Sequence, residues 1–91
     1  MTKEDFLNIA RDIITTERHN EYGEAENTFS EIADMWTAYL KTNIKPEDVA
    51  AMMVLMKVAR MTHGYKADNW VDIIGYAALG GEIASKSHER E

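Results

Sequence analysis

The sequence predicts an all-α, four-helix bundle-like domain, and three observations carry the prediction. Apolar residues recur at helical spacing, no stretch alternates in the way a half-buried strand does, and short polar loops of about four to six residues separate the periodic segments, which favours antiparallel neighbours. The chain is organised around Pro46 to Arg60, a helix apolar on nearly every side and interrupted late by Lys57 and Arg60. A helix that is apolar all round has to be covered all round. Cations inside such a helix need anions or solvent beside them.

Each element has its own signal. Thr2 followed by Asp5 is a capping-box variant, and Phe6, Leu7, Ile9, Ala10, Ile13 and Ile14 then continue a first amphipathic helix to about Glu17. The polar stretch Arg18 to Gly23 breaks the pattern, with Gly23 suited to a left-handed turn. From Glu24, a second helix places Phe29, Ile32, Ala33, Trp36 and Leu40 in an apolar stripe and Glu24, Asn27, Glu31 and Asp34 on an acidic face. Asn43 suits its end, and Pro46 suits the first turn of the third helix, whose Glu47 and Asp48 oppose the positive end of the dipole. That helix is expected to reach His63 and stop at Gly64.

The fourth helix is expected over Asp68 to Gly81, with Trp70, Val71, Ile74, Ala77, Ala78 and Gly81 as its apolar face. Gly75, Gly80 and Gly81 each cost up to about 1 kcal/mol against alanine in a helix interior, so another helix or subunit is expected to approach closely there. The organisation is a single helical domain over residues 1–85 and a polar tail over 86–91 that frays.

Composition narrows the function classes. A chain of 91 residues hides only about two-thirds of its unfolded surface, so a homo-oligomer, dimer or tetramer, is expected. Without cysteine there is no disulfide or thiolate chemistry, and the polar N-terminus reads as a cytoplasmic chain. The apolar run Val49 to Met56 is far short of the roughly 20 residues that span a bilayer. A net charge of −6 with scattered Lys and Arg argues against duplex nucleic acid, while a small nucleotide can still be held by a few cations or a carboxylate-bound divalent metal.

Three clusters are candidates for chemistry. The acidic face of helix two stacks oxygen donors as a hard cation such as Mg²⁺ requires, although a solvated surface gives the same pattern. Asp68 and Asp72, one turn apart and followed by Tyr76, repel each other unless a cation lies between them; the plain alternative makes Asp68 an N-cap and Asp72 a surface residue. Lys57 and Arg60 lie on one side of helix three and suit either inter-helix ion pairs or a phosphate. Among the aromatics, His19 and Tyr22 are the better stacking candidates, while Trp36 and Trp70 are expected in the core. The methionines, including Met52, Met53, Met56 and Met61, are expected as adaptable core or subunit interface.

Several blocks also resemble a known group. Arg18-x-x-x-Tyr22-Gly23 leading to Asn27-x-Phe29-x-x-Ile32-Ala33, then Asp48-Val-Ala-x-Met-Met with Lys57-x-x-Arg60, then Asp68-Asn-Trp-x-Asp72-x-x-Gly75-Tyr76, resemble small phage and prophage proteins grouped with the all-α MazG-like nucleoside triphosphate pyrophosphatases. The resemblance implies a MazG-like helical oligomer in the host cytoplasm that uses Mg²⁺ to hydrolyse a nucleotide to monophosphate and pyrophosphate. On the hypothesis that this chain acts in that way, Glu24, Glu31, Asp68 and Asp72 are the catalytic metal ligands, Lys57 and Arg60, which stand where those enzymes favour acids, meet the phosphates, and His19, Tyr22, Asn27 and Tyr76 shape the base pocket. Those enzymes carry EExxE where helix two offers Glu24, Asn27 and Glu31. The alternative is a non-catalytic module that sequesters a nucleotide or binds another protein.

Overall fold

The computed structural model describes residues 1–16 and 25–89. Those residues form helices α1 (Lys3–Thr15), α2 (Ala25–Leu40), α3 (Pro46–Arg60) and α4 (Ala67–Glu89), with a 3₁₀ turn (Met61–His63) after α3, and contain no strand. The all-α, four-helix reading holds. The long α4 is the backbone of the assembly: α3 packs along it most extensively, α1 also lies on it, and α2 packs mainly on α3.

Local chemistry sets the helix ends. At α1 the capping box forms in both directions: the Asp5 amide donates to Thr2 Oγ1 at 3.2 Å and the Thr2 amide donates to Asp5 Oδ2 at 2.8 Å. The Thr2 backbone bond, then its side-chain bond, holds the Asp5 carboxyl below its ordinary value of 3.8. A carboxyl so lowered contributes stability above that ordinary value and loses it as pH falls through the folded-state value. Asp5→Ala, which removes the carboxylate itself, should therefore lower stability at neutral pH and progressively less in acid. Paired thermal melts of wild type and variant across an acid series check this; a difference that stays constant with pH would contradict it.

The α2–α3 connection closes differently from expectation. The left-handed residue after α2 is Lys41 (φ 55°), not Asn43, and its amide reaches the Thr37 carbonyl at 2.8 Å. Thr37 Oγ1 then clamps the loop, accepting from the Ile44 amide at 2.8 Å and donating to the Ile44 carbonyl at 3.2 Å. Pro46 opens α3 as expected, and Asp48 Oδ2 accepts from the Lys45 amide at 2.9 Å. Gly64 ends the 3₁₀ turn at φ 112°, a conformation that L side chains rarely adopt.

The main core gathers Phe29, Ala33, Val49, Ala50 and Ile83, with Ile32, Trp36, Ile44, Met53, Tyr76 and Leu79 packed around it. It is made mostly of small side chains, and Val49 is the largest that is fully buried. The α2 stripe is therefore as expected except for Leu40, which is exposed.

The register of α4 differs from the expected one. Its buried positions are Asn69, Val71, Gly75, Gly80 and Ile83, whereas Trp70, Ala77, Ala78 and Gly81 are exposed. The reason is close approach. A Cβ on Gly80 would lie 2.7 Å from the Ala50 Cβ, and one on Gly75 would lie 3.4 Å from Ile14 Cγ2, so these two glycines admit α3 and α1. Gly81 faces open space. The helix also runs on to Glu89, through the stretch read as a fraying tail, and Lys86 within it bridges to Glu26 of α2 at 3.2 Å and to Glu82 at 3.9 Å.

Candidate functional site

Helix α3 turns Val49, Ala50, Met53 and Lys57 toward the rest of the protein, because these positions recur at steps of three and four. The ammonium of Lys57 follows its apolar neighbours inward, and across the seam it meets Asp72 of α4, Nζ to Oδ2 at 2.8 Å. The lysine side chain is 14% exposed and the aspartate 33%. The conflict between an apolar helix and its late cation is thus resolved inside the chain: a partly desolvated cation has a carboxylate beside it.

Two more polar groups share this face of α4. Asn69 and Tyr76 stand one turn before and one turn after Asp72. Asn69 is 5% exposed, the buried polar residue among those described. Tyr76 is half-buried and packs its ring against Phe29, with centroids 6.4 Å apart and planes tilted by 40°. Asn69 escaped the sequence reading, which took Asp68 as the chemically interesting neighbour. The signal was present in its spacing, since Asn69, Asp72 and Tyr76 fall on one helical face whereas Asp68 does not fall as close to its centre. No buried side-chain nitrogen or oxygen among the described residues lacks a hydrogen-bond partner.

The remaining expected site residues are dispersed. Asn27, Glu31 and Asp34 are exposed along α2, Asp68 is exposed at the start of α4, and Arg60 is exposed at the end of α3. Among the described residues, no three or more His, Cys, Asp or Glu form a group placed to hold a metal ion, so Glu31, Asp68 and Asp72 do not make one. His19, Tyr22 and Glu24 lie outside the described residues.

A second feature was not expected. Lys3, Phe6 and Leu7 of α1, Tyr65 of the α3–α4 connection, and Trp70 and Ile74 of α4 line an open groove of about 420 Å³. Trp70, expected in the core, lies here and is 48% exposed. Its position one residue before the buried Val71 turns it onto the α1 side of the helix. No helix among the described residues is long and apolar enough to cross a membrane.

Residues 5–84 match the family described as a domain of unknown function, DUF6378. The chain belongs to this family. Two mycobacteriophage proteins, each described as a Gene 55 protein, are similar to this DUF6378 chain. The one from Mycobacterium phage L5 is 42% identical over 86 residues, covering 92% of this chain and 55% of that protein. The one from Mycobacterium phage D29 is 37% identical over 89 residues, covering 97% of this chain and 59% of that protein. The chain thus spans little more than half the length of these relatives. No solved structure matches it. The expected tie to phage proteins is met by these relatives, whose descriptions name no enzyme activity.

Proposed function

We propose that this DUF6378 domain is a non-catalytic interaction module, working in the host cytoplasm by binding a partner protein. The observation that supports this reading is the 2.8 Å contact between Lys57 and Asp72. A pyrophosphohydrolase needs that carboxylate for metal and that cation for phosphate; here each satisfies the other. The polar seam is closed by its own groups, while the open groove beside α1 presents Leu7, Tyr65 and Trp70 to solvent, aromatic-rich surface of the kind that anchors partners.

A second reading remains on a specific observation. Asn69, Asp72 and Tyr76 share one face of α4 with Lys57 opposite, so a MazG-like nucleotide site, with Mg²⁺ supplying the activation of water, would have to be assembled by opening that one ion pair. Incubation with a panel of nucleoside triphosphates and Mg²⁺ separates the two. No pyrophosphate above the protein-free blank, and no calorimetric binding of the same nucleotides, is the expected result. Saturable pyrophosphate release that Asp72→Asn abolishes would overturn the interaction reading.

A further inference from the structure

The face of α3 opposite Lys57 carries Met52, Leu55, Met56 and Ala59, spaced to form one stripe across two helical turns. All four are exposed: Met52 to 38%, Leu55 to 65% and Met56 to 41%, with Ala59 following one turn beyond Leu55. Val58 at the edge of the stripe is 48% exposed. Among the described residues, the central helix that the sequence said must be covered all round is therefore covered on one side only.

Charge identifies what covers the other side. From Val49 to Met56 the helix has no charged residue, which lets two copies meet there despite the net charge of −6 on each. Its ends carry opposite signs, Glu47 and Asp48 in the first turn and Arg60 in the last. An antiparallel pairing about a two-fold axis near Leu55 lays apolar stripe on apolar stripe and brings the acidic turn of each copy beside the basic turn of the other.

We infer that the exposed stripe of α3 is the interface of a two-fold symmetric homodimer, α3 packing antiparallel on α3 with Leu55 close to the axis. The inference uses a different face from the α1–α4 groove and does not rest on the interaction reading; a nucleotide hydrolase on this scaffold would dimerise in the same way.

Sedimentation equilibrium across a concentration series tests it. The wild-type chain is expected at roughly twice its 10.4 kDa mass. Leu55→Glu is expected to halve that mass with helical circular dichroism retained, while Met35→Glu on the exposed side of α2 leaves it unchanged. Because a monomer with so small a core can unfold when separated, a second variant reads the contact directly. The native chain has no cysteine, so Leu55→Cys should give a cross-linked dimer on mild oxidation and Tyr39→Cys should not. A wild-type mass of one chain throughout the series, a Leu55→Glu variant that keeps the doubled mass, or cross-linking through Tyr39→Cys but not Leu55→Cys would overturn the proposal.

Discussion

Replacing Phe29 with alanine is expected to lower stability by about 3 kcal/mol and the melting temperature by something on the order of 15 °C, a large share of the margin of a 91-residue domain. Phe29 is 6% exposed and is the one aromatic ring among the buried residues described. Its neighbours in the core are Ala33, Val49, Ala50 and Ile83, so little side-chain volume is at hand to collapse into the space it leaves. Tyr76, whose ring it touches, would lose its packing partner on the face that carries Asp72. Thermal melts by circular dichroism check the prediction, with Trp70→Ala as the comparison. Trp70 is larger but 48% exposed, so its loss should cost less than half as much. Equal losses in the two variants would mean that the hydrophobic centre of the protein lies elsewhere.

The ion pair gives the second large effect, and its expected signature is an asymmetry. Asp72→Leu removes the carboxylate beside an ammonium whose side chain is only 14% exposed, and should cost about 2 kcal/mol. This is less than for a wholly buried pair, because a lysine can tilt its head toward solvent. Lys57→Met leaves a carboxylate that is already 33% exposed and can be hydrated, and should cost about 1 kcal/mol or less. Combining Lys57→Met with Asp72→Leu should return stability to within about 1 kcal/mol of wild type, since an apolar pair suits this seam as well as an ionic one. Urea denaturation of the four proteins completes the cycle. Additive losses, with no recovery in the double variant, would show that the two groups do not act as a pair.

Features that depend on one residue and its near neighbours were legible in the sequence. The Thr2–Asp5 box, Pro46 at the start of α3 and the left-handed stop at Gly64 follow from backbone chemistry within a few positions. Lys57 was legible as a conflict, since a cation in an apolar helix demands a partner, although the choice between Asp72 and a phosphate was not. The register of α4 was not readable in the same way. Small residues surround much of that helix, so hydrophobicity alone does not single out a stripe. The buried side is chosen by where α1 and α3 can come closest, which favours Gly75 and Gly80 over Ala77, Ala78 and the larger Trp70. Asn69 was overlooked for a related reason: a polar residue near a helix start reads as a solvated turn until the partner helix buries it. The inter-helix bridge from Lys86 to Glu26 spans 60 positions, beyond the reach of any local pattern.

The contact between Gly80 and Ala50 also limits how this protein can move. Sliding α4 along α3 by one helical turn in either direction would bring Tyr76 or Ala84 to the place of Gly80, where a Cβ would have only 2.7 Å to Ala50 Cβ. The two longest-packed helices are in that sense keyed, and translation along their common seam is blocked at both steps. Rearrangements that preserve the core are left with pivoting about the key, in which the far ends of the helices swing while the centre stays fixed. Lys57 and Asp72 lie away from the key along α3 and α4, so a small pivot would change the distance between them more than it would disturb Val49 beside Ala50.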